Sequence, residues 1–171
     1  MGIAPSAATA AIVIFPAVMV YAGLMDLMTM KIRNALVVGL AAAFFILAPL
    51  AGFSLYQIGM NTGVAALVFC VTFFFFAMGW IGGGDAKLAA VTALWFAPAE
   101  AMTYFAYASF LGGLLTLVIL RFRGTILSPR LAAVSWIAML HDEKAGVPYG
   151  AAMAPAALLV FPQTAWFSLA G

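Results

Sequence analysis

Long apolar runs separated by short charged segments dominate this sequence and restrict the folds open to it. A transmembrane helix needs about 20 mostly apolar residues. Six runs approach or reach that length: Ala7–Met25, Ala35–Phe53, Ile58–Trp80, Asp85–Pro98, Ala101–Leu120 and Gly150–Leu169. The fourth would be only about 20 Å long as a helix, and so short a segment is tolerated in lipid only where protein surrounds it. We therefore predict an all-α, polytopic membrane protein with six transmembrane helices.

The composition excludes the other broad classes of protein. Of 171 residues, 67% are hydrophobic and 7% are charged, against roughly 25% charged in soluble domains. A soluble globule lacks the polar surface it would need, and disordered chains are poor in apolar residues. The net charge of +2 is too small to indicate a nucleic-acid partner. The single cysteine, Cys70, excludes an intramolecular disulfide and a multi-cysteine zinc site, and we predict neither a metal nor a cofactor.

The basic residues predict the orientation in the bilayer. With six spans, every Lys and Arg falls on one side, after the first, third or fifth span: Lys31, Arg33, Lys87, Arg121, Arg123, Arg130 and Lys144. The positive-inside rule then places these loops in the cytoplasm and both termini outside. No repeat or linker divides residues 1–171, which predicts a single domain with one sizeable cytoplasmic loop at about 121–149. The apolar residues between Leu131 and Leu140 in this loop fit either an interfacial amphipathic helix or a plain connector.

Asp26 and Asp85 are the most informative residues, because ionisable side chains within membrane spans are rare and usually face a bundle interior, a cavity or a partner. Asp26 lies near the cytoplasmic end of the first span. Asp85 begins the fourth, after three glycines, Gly82, Gly83 and Gly84, which allow unusual backbone angles and close approach of another segment. Both aspartates are predicted at similar depth, so they can meet.

Each aspartate also has a structural interpretation. Asp85 could cap the N-terminus of the fourth helix, and Asp26 could form a buried ion pair with Lys87. The functional interpretation is a pair of carboxyls near one peptide bond, one taking a proton from water and the other stabilising the developing charge on the carbonyl. Two further functions stay open: a small proton- or cation-coupled transporter that uses both aspartates and Lys87, and a non-catalytic assembly scaffold whose aspartates are structural.

Three motifs, taken in order, resemble those of the type IV prepilin (leader) peptidases, which are intramembrane aspartic proteases of the GxGD kind. The first is Asp26 with Asn34 eight positions later, and the second is the run from Gly82 to Leu88, which reads GGGDAKL. The third is Val147-Pro148-Tyr149-Gly150, which opens the last span. The resemblance extends over essentially the whole chain.

The resemblance implies a function and a set of site residues. Asp26 and Asp85 would be the catalytic pair and Gly82–Gly84 would shape an active-site loop, with Asn34, Lys87 and Tyr149 as candidate supports. The substrates would be pilin-like precursors, cleaved without a cofactor between a basic leader and an apolar helix. The protein would then lie in the lipid bilayer of the bacterial inner membrane, with its active site near the cytoplasmic face.

Two features depart from the larger members of that family. Those members insert a cysteine-bearing cytoplasmic domain between the first two spans and also methylate the new pilin terminus. Here the spans are separated only by residues 26–34, which makes the chain most similar to the compact peptidases of tight-adherence (Flp) pilus systems and leaves methylation an open question. Arg33 also occupies the position before Asn34, where the family usually has proline.

Overall fold

A computed structural model describes residues 2–170, which are all-α, with 80% of the chain helical and no strand among the described residues. The described helices are α1 (Ile3–Thr29), α2 (Asn34–Leu50), α3 (Leu55–Ala77), α4 (Gly83–Ala93), α5 (Pro98–Arg123), α6 (Pro129–Ala132), α7 (Ser135–His141), α8 (Gly150–Val160) and α9 (Ala165–Ala170). A 3₁₀ turn, Phe161–Gln163, separates the last two. The predicted all-α class is confirmed.

Three helices, α1, α3 and α5, are long and apolar enough to cross a membrane. Two further apolar helical segments, Asn34–Leu50 and Gly150–Gln163, are shorter. The predicted first, second, third and fifth spans correspond to α1, α2, α3 and α5, with ends shifted by a few residues.

The sixth predicted span, Gly150–Leu169, is not one continuous helix. It consists of α8, the 3₁₀ turn and α9. Pro162 lies at the break, and proline both removes a backbone donor and clashes with the carbonyl of the preceding turn. The short α9 folds back against α1.

The loop between α5 and α8 differs from both sequence interpretations. A single amphipathic helix over its apolar residues is wrong, because Val134 has extended backbone angles (φ −90°, ψ 110°) and divides the segment into α6 and α7. A connector without helices is also wrong. The charged side chain of Arg123, in the last turn of α5, donates to the carbonyls of Leu140, Ala145 and Gly146 at 2.8–2.9 Å and holds the loop against α5.

The short helix α4 is largely enclosed by its neighbours, as predicted for a segment too short to span lipid alone. Seven of its residues are buried, and it packs against α3, α2 and α8. Two polar side chains of α3 bind its backbone: the Thr72 hydroxyl donates to the Ala86 carbonyl at 3.2 Å, and Asn61 Nδ2 donates to the Leu94 carbonyl at 3.2 Å. The Asn61 bond satisfies a carbonyl at the C-terminal end of α4, where helix carbonyls lack partners, and the two bonds together hold α4 against α3.

An aromatic cluster anchors the C-terminal end of α4. Trp95 follows α4 directly and packs at 5.1 Å from the rings of both Phe15 and Trp166. The indole of Trp95 donates to the Leu40 carbonyl, and the indole of Trp166 donates to the Trp95 carbonyl. Because one end of α4 is held in this cluster, its N-terminal end, which carries Asp85, is directed toward the opposite end of the bundle.

Candidate active site

Asp26 lies in the last turn of α1 and is 4% exposed. The helix ends at Thr29. The next residue, Met30, has a left-handed backbone (φ 52°), and its N–H donates to the Asp26 carbonyl at 2.8 Å. The side chain points to the beginning of α8, where the backbone N–H of Gly150 donates to Asp26 Oδ2 at 2.8 Å. The first N–H groups of a helix have no partner within it and carry partial positive charge. The N-terminus of α8 therefore provides a hydrogen-bond donor for this buried carboxylate.

Gly150 is the residue type that this contact requires. A Cβ at position 150 would lie 2.9 Å from Asp26 Oδ2 and 3.0 Å from both Asp26 Cβ and Ile32 Cδ1. Real Cβ atoms essentially never lie within 3.0 Å of another atom. A larger residue at position 150 would therefore require the Asp26 side chain or the start of α8 to shift.

Asp85 is the third residue of α4, not its N-cap. The N-cap is Gly82, so the capping interpretation of Asp85 is wrong in that form. The side chain of Asp85 folds back toward Gly82, where a Cβ would lie 2.9 Å from Asp85 Oδ2. Asp85 is partly buried, whereas Asp26 is buried.

A cavity of about 450 Å³ brings the two aspartates together. We call it the polar cavity; its walls are Asp26, Asp85, Gly82–Gly84 and residues 30–34. Lys31, Arg33 and Asn34 lie among these wall residues and are exposed. Asp26 and Asp85 therefore line one cavity, at the end of the bundle that also holds Lys31 and Arg33.

The three glycines act through close approach, not through unusual backbone angles. Gly82 has ordinary extended angles (φ −70°, ψ 145°), and Gly83 and Gly84 form the first turn of α4, so the predicted loop is a helix start. A Cβ at Gly83 would lie 3.1 Å from the ring of Phe76, and one at Gly84 would lie 3.2 Å from Ile32 Cβ. The glycines let α4 begin directly against α3 and against the segment between α1 and α2.

Lys87 and Asn34 bind each other beside the polar cavity. The ammonium group of Lys87 donates to Asn34 Oδ1 at 3.0 Å and joins α4 to the first residue of α2. Asp26 has a different partner, the N–H of Gly150. Lys87 therefore binds the neutral side chain of Asn34, and Asp26 binds the neutral backbone of Gly150. These contacts replace the ion pair between Asp26 and Lys87 that the sequence left open.

Comparison with family models identifies the chain. A model described as the type IV leader peptidase family matches residues 13–117. The chain belongs to the type IV leader peptidase family. Family membership identifies the chain as a peptidase. The long apolar helices of the chain are those of a membrane protein. Neither the curated proteins nor the solved structures show a significant match.

The family match covers most of the predicted site of this leader peptidase. Asp26, Asn34, Gly82–Gly84, Asp85 and Lys87 all lie within the matched residues. Tyr149 lies beyond them and borders a different part of the site. It lines a second, smaller cavity, which it shares with Asp85. The Tyr149 ring rests on Gly112 of α5, where a Cβ would lie 3.2 Å from its carbons.

Three residues of the site were missed as individual sites by sequence reasoning: Ile32, Gly112 and Gly150. Gly150 was visible as the last residue of the Val-Pro-Tyr-Gly motif, but its contact with Asp26 required the tertiary structure. Ile32 is an ordinary apolar residue in a charged segment, and no sequence signal distinguishes it. Within residues 2–170, no three His, Cys, Asp or Glu side chains form a cluster suited to a metal ion.

Proposed function

We propose that this protein is a prepilin leader peptidase, an intramembrane aspartic endopeptidase whose catalytic pair is Asp26 and Asp85. The observation that carries the proposal is the polar cavity lined by both aspartates, within a chain of the type IV leader peptidase family. The transporter and the scaffold, which the sequence left open, are disfavoured because the family is one of peptidases.

The proposed reaction uses the two carboxyls in different protonation states. Like charges at close range do not both ionise readily, so the pair holds one proton between them. The ionised carboxylate takes a proton from water as the water oxygen attacks the peptide carbonyl carbon, and the protonated carboxyl hydrogen-bonds the carbonyl oxygen. The C–N bond then breaks, and a proton passes to the leaving nitrogen. The products are a leader with a new carboxylate and a mature chain with a new amine.

The surroundings of the pair support this chemistry. The N–H of Gly150 fixes one oxygen of Asp26, and Gly82 leaves Asp85 room to fold back toward the start of α4. A catalytic group must be held in position by neighbours that are themselves fixed. Here the neighbours are the first turns of two helices, α8 and α4.

The proposed topology has six membrane-crossing segments, both termini outside and the polar cavity at the cytoplasmic face of the bacterial inner membrane. The basic loops that contribute Lys31 and Arg33 to that cavity support this orientation. It is tested on a Cys70→Ser background with single cysteines introduced by Ala99→Cys and Glu143→Cys. A membrane-impermeant thiol reagent added to intact cells is expected to label position 99 and not 143; the reverse pattern would contradict the orientation.

The activity is tested by co-expression with pilin-like precursors from the same genome and by measuring precursor mass. The wild type is expected to remove a leader-sized fragment. Asp26→Asn and Asp85→Asn are expected to abolish cleavage while still inserting in the membrane. Asp142→Asn, in the exposed loop, is the matched control and is expected to cleave normally.

Two results would contradict the proposal. Full cleavage by either active-site variant would exclude an aspartic pair. Failure of the well-folded wild type to cleave several candidate precursors would exclude leader peptidase activity and favour the transporter or the scaffold.

The same mass measurement addresses methylation. An added methyl group on the mature chain would show that the compact form also methylates.

A further inference from the structure

Asp85 lies between two cavities that differ in chemistry. One is the polar cavity. The other has a volume of about 190 Å³ and lies between α3, α5 and α8; we call it the lateral crevice. Its walls include Thr72 and Phe75 of α3, Ala108 and Ser109 of α5, and Tyr149 and Met153 at α8.

The exposed wall surface of the lateral crevice is mostly apolar. The hydroxyl of Thr72 is already engaged with the carbonyls of Val68 and Ala86. Ser109 and Tyr149 are the remaining wall residues with polar atoms besides Asp85. The polar cavity, by contrast, contains Lys31 and Arg33. An extended chain passing Asp85 would therefore move from charged to apolar surroundings.

The position of the crevice gives it access to lipid. Its side walls, α3 and α5, pack mainly against α4 and α8 and only slightly against each other. The apolar side chains of Phe73 on α3 and Phe110 on α5 are 53% and 71% exposed, as expected for helix faces turned to lipid. A membrane-embedded segment could therefore reach Asp85 between these two helices.

We propose that the lateral crevice binds the apolar side chains on the membrane side of the scissile bond, while the polar cavity receives the leader. This inference rests on the proposed peptidase function and adds a specificity site to it. A volume of about 190 Å³ is below the roughly 300–1,000 Å³ of pockets that enclose whole small ligands. The crevice therefore receives one or two side chains of the substrate helix, not the helix itself.

Filling the crevice tests the proposal. Ala108→Leu adds apolar volume to its wall, and Ala106→Leu adds the same volume on α5 at an exposed position that does not line the crevice. Two precursors are compared, with Phe or with Ala at the first position after the scissile bond. One missing or added apolar group in a pocket changes kcat/KM by about 10–200-fold. Ala108→Leu is expected to lower kcat/KM at least about tenfold for the Phe precursor and to leave the Ala precursor within about threefold.

The comparison between precursors separates specificity from damage to the fold. A variant that merely misfolds loses both activities together. Ala106→Leu is expected to cleave both precursors as the wild type does. If Ala108→Leu unfolds at the same temperature as the wild type and changes kcat/KM for both precursors by the same factor relative to the wild type, the assignment of the crevice is overturned.

Cross-linking provides a measurement independent of turnover. On a Cys70→Ser, Asp85→Asn background, Ser109→Cys is combined with a precursor whose only cysteine follows the scissile bond. Copper-phenanthroline with oxygen as the oxidant is expected to form a disulfide at position 109, and not with Ala106→Cys. Cross-linking at 106 alone, or at neither position while the wild type cleaves, would overturn the crevice and leave the peptidase proposal standing. If the wild type cleaves no precursor, the peptidase proposal itself fails.

Discussion

The backbone N–H of Gly150 donates to the carboxylate of Asp26 at 2.8 Å, across 124 positions of sequence. This contact joins the end of α1 to the start of α8, two helices that pack extensively along the bundle. It also explains why α8 begins at a glycine, since a Cβ there would meet both the carboxylate and Ile32.

Gly150→Ala is expected to lower peptidase activity at least about tenfold, because the added methyl group displaces the N–H from the carboxylate. The steric conflict is also expected to reduce stability by about 1–3 kcal/mol. Gly146→Ala is the matched control, because a Cβ at position 146 meets nothing within 4 Å. Activity and thermal unfolding in detergent are measured for both; equal behaviour of the two variants would contradict this role.

Gly112→Ala is expected to shift the ring of Tyr149, which lies 3.2 Å from the position of the added Cβ. Tyr149 forms part of the lateral crevice. We therefore expect kcat/KM to fall several-fold for precursors with a bulky apolar residue after the scissile bond, because one misplaced apolar group in a pocket has an effect of about that size. The adjacent Gly113→Ala meets nothing within 4 Å and is expected to be neutral, or slightly stabilising through its higher helix propensity. Parallel cleavage assays on the two variants provide the measurement.

Arg123→Gln is expected to release the loop that precedes the Val-Pro-Tyr-Gly motif. It removes a guanidinium that donates to three backbone carbonyls. A hydrogen bond to a charged group contributes about 1.5–3 kcal/mol to stability. We expect faster limited proteolysis within residues 124–146. Arg121→Gln, at an exposed position of the same helix turn, is the control. An unchanged proteolysis rate for Arg123→Gln would show that the loop is held by other contacts.

Lys87 and Asn34 are expected to be energetically coupled. Their 3.0 Å hydrogen bond joins α4 to α2 at an exposed position, so its net value is modest, about 1 kcal/mol. A double-mutant cycle of Lys87→Met and Asn34→Ala, read by thermal unfolding, measures the coupling. Strict additivity of the two substitutions would mean that the contact contributes nothing to stability.

The bounds of helices formed by long apolar runs were predicted more accurately from the sequence than the places where a short break divides a helix. The spans that became α1, α2, α3 and α5 were located within a few residues, since a 20-residue apolar run has few alternatives to a long apolar helix. The sixth span was wrong as a continuous helix, because Pro162, followed by the polar residues Gln163 and Thr164, interrupts it. The break at Val134 had no sequence signal.

The glycines preceding Asp85 show a second limit. From three successive glycines the sequence predicted both unusual backbone angles and close approach of another segment. Only the close approach is seen: Gly83 and Gly84 are helical and lie against Phe76 and Ile32. The partner of a glycine belongs to another segment and is absent from its local sequence.

The sequence by itself determined the all-α class, the apolar spans and the two aspartates as the unusual groups, because hydrophobicity and charge are local properties of the residues. Only the tertiary structure decided which groups surround the aspartates: Gly150 at Asp26, Asn34 at Lys87, and a polar and an apolar cavity on two sides of Asp85. Those neighbours come from helices far apart in the chain. Their placement follows from how the helices pack together, which depends on all their side chains at once.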